Sequence, residues 1–148
     1  MQSVTRRAAL GLSLAALAAC GARPRRAEPA GPADVNRLIS KYARIHDIPE
    51  SLLHRVVRRE SNYNPAARNG PYWGLMQILP QTARTMGYRG TPEGLLDAET
   101  NLKYAGKYLR GAWLVARGSE DRAVMWYAKG YYYEAKRLGL LKETGLIA

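Results

Sequence analysis

The sequence predicts a single all-α domain over residues 34–148. Three observations predict it. Apolar residues recur at i, i+3, i+4 and i+7 in successive segments. Those segments open on capping residues or first-turn prolines and end near glycines. No stretch of any length alternates apolar and polar residues as a half-buried strand does. Residues 62–73 break the helical pattern and read as a long, polar, Gly/Pro-punctuated loop.

Taken in order, Asp34 is placed to cap a first helix, whose apolar face is Val35, Leu38, Ile39 and Tyr42. A turn at His46-Asp47-Ile48 follows. Pro49 suits the first turn of a second helix, which carries Leu52, Leu53, Val56 and Val57 to about Ser61. Pro80 opens a short helix that stops near Gly87. Thr91-Pro92 reads as a cap followed by a first-turn proline. Residues 100–116 show one helical face of Leu102, Ala105, Leu109, Ala112, Trp113 and Ala116. Ser119 caps the next helix, with Glu120 and Asp121 favourable in its first turn. That helix runs to about Lys129, and residues 131–138 make one more.

The first twenty residues, MQSVTRRAALGLSLAALAAC, read as an address rather than as structure. Arg6 and Arg7 form a basic start, and the small and apolar run from Ala8 to Ala19 is shorter than the ~20 residues a spanning helix needs. It fits the apolar region of a signal peptide. Leu17-Ala18-Ala19-Cys20 resembles the lipobox of bacterial lipoproteins, which implies that Cys20 is lipidated and becomes the first mature residue. Thr5-Arg6-Arg7 also resembles a twin-arginine signal, so export by the Sec or the twin-arginine route stays open. Gly21 after the cysteine points to the periplasmic face of the outer membrane. Residues 21–33, GARPRRAEPAGPA, have the composition of a flexible tether.

Composition narrows the partners. From Asp34 onward 18 Lys and Arg face 11 Asp and Glu, a balance of +7. Such a surface attracts an anionic partner. The cations are scattered rather than clustered, which argues against nucleic acid. The single cysteine excludes an internal disulfide. There is no Phe, but there are ten Tyr and three Trp, rings with polar tips that suit a wet cleft as well as a core.

Glu60 continues the apolar stripe of its own helix, at i+7 from Leu53 and i+4 from Val56. It also lies in the last turn, at the negative end of the helix dipole. Desolvation and that dipole both favour the neutral carboxylic acid, the form general acid catalysis requires. Glu60-Ser61, Asn64-Pro65, and Gly74-Leu75-Met76-Gln77-Ile78 with Pro80 and Thr82-Ala83 together resemble the soluble lytic transglycosylase family. Asn101-Leu102 with Tyr108-Leu109, and Tyr127 with Gly130, extend the resemblance over residues 42–133.

The resemblance implies a lysozyme-like all-α fold with a long substrate-groove loop. It implies cleavage of peptidoglycan glycan strands, with Glu60 as the single acid/base. It places Ser61, Asn69, Gly74, Met76, Gln77 and Tyr127 along the substrate. No metal or cofactor is expected, since His46 and His54 have no ligand partners at useful spacing, and the protein is expected to be a monomer. Three departures from the family pattern stand out: Asn69 where a serine is frequent, Ala128 where Tyr-Asn-x-Gly has its asparagine, and Ala105 where a glycine is usual. Asp97, Glu99 and Glu134 lie far along the chain and are expected to cap helices or face solvent rather than supply a second catalytic carboxylate. The sequence leaves two alternatives open, a lysozyme-type hydrolase and a peptidoglycan-binding module with little activity.

Overall fold

A computed structural model describes residues 31–148. The leader, Cys20 and the tether up to residue 30 lie outside the described residues. Six helices form in the order α1 (Ala33–Ile45), α2 (Glu50–Ser61), α3 (Pro80–Thr85), α4 (Ala98–Val115), α5 (Glu120–Lys129) and α6 (Tyr132–Leu138). A 3₁₀ turn at Pro92–Leu96 precedes α4.

The helical faces bury as their periodicity requires. α1 buries Val35, Ile39, Tyr42 and Ala43, while Leu38 is only partly covered. α2 buries Leu52, Leu53, His54, Val56 and Val57. α4 is the central element and packs against α1, α3, α5, α6 and the 3₁₀ turn. Its buried face includes Ala105, Gly106, Gly111 and Ala112, small residues that let neighbours approach closely. Two caps form as read from the sequence or close to it. Asp97 accepts from the Thr100 N–H at 2.7 Å, so α4 begins at Ala98. Ser119 accepts from the Arg122 N–H and opens α5.

Three local readings differ from the structure, the first being Thr91, which precedes the 3₁₀ turn at Pro92 without a side-chain capping bond. Asp34 does not cap α1: the helix begins one residue earlier, after Pro32, and the Asp34 carboxylate pairs instead with Arg37 one turn on. The 62–73 loop is not wholly irregular. It contains a two-stranded antiparallel hairpin, β1 (Arg68–Asn69) against β2 (Tyr72–Trp73). Strands of two residues are too short to show alternation, and the Gly70-Pro71 turn between them reads equally well as loop punctuation. The Arg68 guanidinium lies over the ring of its cross-strand partner Trp73, 3.2 Å from the centroid.

Tyrosine replaces phenylalanine in the core, and each buried hydroxyl finds a partner. Tyr42 donates to Glu99, Tyr88 to the Thr91 carbonyl, Tyr127 to the Met76 carbonyl and Tyr131 to the Tyr108 carbonyl. Tyr63 pairs with Nδ1 of His54 at 3.1 Å. No buried side-chain nitrogen or oxygen among the described residues lacks a partner.

The most consequential buried polar group is Asn101, which is 0% exposed. Its Oδ1 accepts from the Met76 N–H at 2.9 Å, and its Nδ2 donates to the carbonyls of Trp73 and Leu95, each at 2.9 Å. One amide thus fixes the end of the hairpin, the following turn and the 3₁₀ segment. Gly74 is tucked against this amide with φ +76, and a Cβ there would overlap both the Leu95 carbonyl oxygen and the Asn101 amide. Replacing Asn101 by Leu orphans the Met76 N–H and the Leu95 carbonyl, each worth roughly 1–3 kcal/mol, while the Trp73 carbonyl keeps the Ile78 N–H at 3.1 Å. The expected outcome is a loss of roughly 2–5 kcal/mol, read from urea midpoints at unchanged m-value. A loss under about 1 kcal/mol would show that these groups find other partners.

Candidate active site

Glu60 is the next-to-last residue of α2, and the chain turns sharply just beyond it. Asn62 adopts the left-handed region (φ 48) and returns its N–H to the Arg58 carbonyl at 3.0 Å. Asn tolerates this conformation well. Tyr63 is also left-handed (φ 64), which a bulky residue adopts only when its surroundings hold it there. Its burial and its bond to His54 do so. Two successive left-handed residues throw the chain away from the helix axis. The last turn of α2 therefore projects into a groove instead of continuing into a neighbour.

The groove has two joined compartments. The first, about 360 Å³, is lined by Arg59, Glu60, Asn69, Tyr72, Gln77, Tyr127 and Ala128. The second, about 250 Å³, shares Tyr72, Gln77, Tyr127 and Ala128, and continues over Ile78, Leu79, Thr82, Tyr108, Lys129 and Gly130. Asn69 and Tyr72 are cross-strand partners, which is why both reach the same compartment. The hairpin is one wall. The C-terminal end of α5 is the other.

Glu60 is half-buried, with 22% of its side chain exposed. Burial raises its pKa above the ordinary glutamate range, and the charge of Arg59 opposes that only in part. The Arg59 Nε lies 3.5 Å from Oε1 but is itself half-exposed, so the pair is screened by solvent. The carboxyl is held toward its neutral form in a compartment lined by no other acid.

The remaining residues singled out from the sequence fall into two groups. Asn69, Gln77 and Tyr127 line the groove beside Glu60. Gln77 is left-handed (φ 48), and its amide donates to the carbonyls of Ala67 and Gly74. Ser61, Gly74 and Met76 do not line it. The Ser61 hydroxyl donates to the Val57 carbonyl at 3.1 Å and the Leu75 carbonyl at 2.8 Å, stitching α2 to the following loop. Gly74 is a packing contact. The Met76 side chain is 0% exposed and belongs to the core, because its backbone is pinned from both sides by Asn101 and Tyr127. The Tyr127 hydroxyl is thus committed to Met76 and not to Glu60, although Glu60's charge is felt at the ring. The phenol is buried, and its pKa stands well above 10. Sequence reasoning missed Arg59 and Tyr72 as groove residues; Lys129, which it offered as a cation near anionic stem peptide without an orientation, lines the second compartment. Asp97, Glu99 and Glu134 lie outside both compartments, with Asp97 capping α4, Glu99 paired with Lys41 and Glu134 with Arg137. Among the described residues no group of three His, Cys, Asp or Glu side chains could hold a metal ion.

With this geometry in place, comparison with known proteins is informative. Residues 37–142 match the family model described as "Transglycosylase SLT domain". The chain belongs to this family. The SLT domain here is 38% identical over 88 residues to the soluble lytic murein transglycosylase of Salmonella typhimurium, an overlap of 53% of this chain and 13% of that protein. It is 36% identical over 88 residues to the soluble lytic murein transglycosylase of Escherichia coli, again 13% of that protein. The peptidoglycan transglycosylase gp16 of Escherichia phage T7 is 32% identical over 104 residues, 67% of this chain and 8% of that protein. The SLT domain therefore spans only a small part of the length of these relatives. No solved structure gives a significant match. The all-α architecture is that expected of the family's lysozyme-like fold.

The burial of Glu60 has a thermodynamic sign. A folded-state pKa above the ordinary value of 4.5 means that folding takes up a proton as pH rises past that value. The stability tied to the neutral carboxyl is full below the unfolded pKa and is lost as pH rises through the folded one. Glu60→Gln, which cannot ionise, is expected to match the wild type near pH 3.5 and to exceed it in melting temperature at neutral pH. Differential scanning calorimetry across that range checks this; a difference independent of pH would contradict it.

Proposed function

We propose that this protein is a peptidoglycan lytic transglycosylase that uses Glu60 as its only acid/base. The observation that carries the reading is a lone, half-buried carboxyl with a raised pKa, facing a groove to which the described residues bring no second carboxylate. A hydrolase with two acidic groups would need a partner for Glu60 within roughly 5–10 Å. One carboxyl suffices when the substrate supplies the rest. Glu60 protonates the oxygen bridging N-acetylmuramic acid and N-acetylglucosamine. The N-acetyl group of the sugar supports the positive anomeric carbon. The resulting carboxylate then takes the proton of the muramic C6 hydroxyl. That oxygen closes on the anomeric carbon to give a 1,6-anhydro ring, and Glu60 is neutral again. No cofactor takes part.

The groove residues have roles in keeping with this chemistry. Asn69, Tyr72 and Gln77 offer polar groups to sugar hydroxyls and acetamides. Tyr127 acts indirectly, by fixing the Met76 segment from which Gln77 projects. Arg59 limits how far the carboxyl's pKa climbs, and so keeps it able to accept as well as donate. Glu60→Gln is expected to abolish cleavage, a drop of at least roughly 10³-fold, with the fold intact. Mass spectrometry of digested sacculi should find anhydromuramic ends from the wild type. Products heavier by one water would instead identify a lysozyme-type hydrolase, and retention on sacculi without released fragments a binding module.

The same reading places the protein in the periplasm, where its substrate lies. We further propose that Cys20 is lipidated and holds a monomeric domain at the periplasmic face of the outer membrane, with residues 21–33 as tether. The lipobox-like Leu17-Ala18-Ala19-Cys20 supports this. An anchored protein should sediment with membranes, and Cys20→Ser should move it to the soluble periplasmic fraction. Equal fractionation of the two would sink the anchor.

A further inference from the structure

The two compartments of the groove differ in charge. The first holds Glu60 and Arg59. In the second, Lys129 is the only charged side chain among the described residues; its other polar groups are hydroxyls, the Gln77 amide and backbone. Lys129 sits in the last turn of α5, is exposed, and among the described residues no carboxylate pairs with it. The helix ends at Gly130 (φ 81), which lines the same compartment, and both residues are exposed. Ala128, directly before it, lines both compartments, and its methyl group leaves them continuous. A strand lying across Glu60 therefore reaches Lys129 without an intervening barrier.

From this placement we infer that Lys129 is a specificity determinant that binds a carboxylate carried by the glycan strand. The inference rests on the transglycosylase reading for its substrate. Two parts of that substrate supply the chemistry: the lactyl carboxylate of muramic acid, free when no peptide is attached, and the carboxylates of an attached stem peptide. A lysine ammonium suits either, as a mobile point charge rather than a planar fork. The plain alternative is that Lys129 only complements the dipole at the end of α5. That role would move stability and leave substrate preference untouched.

Binding and turnover separate these. In the Glu60→Gln background, affinity for soluble glycan strands is measured by calorimetry with Lys129 kept, changed to Ala, or changed to Arg. Each is tested on native strands and on strands whose carboxylates are capped as methyl amides. Native strands should bind roughly three- to ten-fold more tightly than capped ones when residue 129 is Lys or Arg, and the preference should vanish with Ala. It should also shrink with added salt. A preference unchanged by Lys129→Ala overturns the inference, as does a loss matched by a fall in melting temperature that Arg does not rescue. Repeating the comparison on strands freed of peptide assigns the carboxylate: a preference on peptide-bearing strands belongs to the stem, since their lactyl carboxyl is amide-bonded, and a preference on peptide-free strands belongs to the lactyl group. Cleavage assays with intact Glu60 test the underlying reading separately. A wild type that binds strands through Lys129 but never cuts them refutes the enzyme and not the carboxylate site.

Discussion

Three stretches of chain meet at the side chain of Asn101. The end of the hairpin, the Gly74–Gln77 turn and the 3₁₀ segment before α4 have no continuous ladder of their own, yet their backbone polar groups are buried. A buried N–H or carbonyl must find a partner or cost free energy comparable to a lost hydrogen bond. One amide on the central helix satisfies three of them. Because α4 is packed on α1, α3, α5, α6 and the 3₁₀ turn, the groove wall is tied to the helical core. Ser61 and Tyr127 add the second and third attachments, from α2 and α5. The Glu60 helix, the opposite wall and the turn between them are thus held in one frame.

Glu60 itself works against that frame. A half-buried carboxyl at the negative end of a helix is a poor choice for stability, and the left-handed backbone at Asn62, Tyr63 and Gln77 adds strain around it. Asp47 and Arg117 are left-handed in turns elsewhere, but Asn62, Tyr63 and Gln77 flank the groove together with the buried carboxyl, as expected where function sets part of the local choice. The remainder of the molecule is regular enough to carry the cost. Its apolar faces are continuous, α4 and α5 open on side-chain caps, and its buried polar atoms are paired.

Much of this was legible in the sequence. The order of the helices, their approximate ends and most of the buried faces follow from 3.6-residue spacing and punctuation. So does the exceptional position of Glu60 at the end of an apolar stripe. What escaped has a common cause. Asn101 reaches residues up to 28 positions away, and Tyr127 reaches one 51 positions away. No local pattern records such a partner. Met76 and Gly74 lie in the motif that carries the family resemblance, and that adjacency suggested a place in the groove. Yet pinning the backbone on both sides turns the methionine into the core and exposes Gln77 instead. The hairpin was invisible because two-residue strands have no periodicity. Lys129 and Tyr72 became groove residues only once α5 and the hairpin were set face to face.

The absence of phenylalanine has a consequence for how such a groove can vary. In most cores one aromatic ring fills space and does nothing else. Here each buried tyrosine separates two duties between different atoms: the ring sets volume, and a single oxygen sets where a neighbouring segment sits. The duties can change independently. Loss of the Tyr127 oxygen would leave the interior full while releasing the Met76 segment, and loss of the Tyr88 oxygen would do the same for the turn at Thr91. Substrate-facing geometry can therefore drift over evolutionary time through single-atom edits, with the packed interior left as it is.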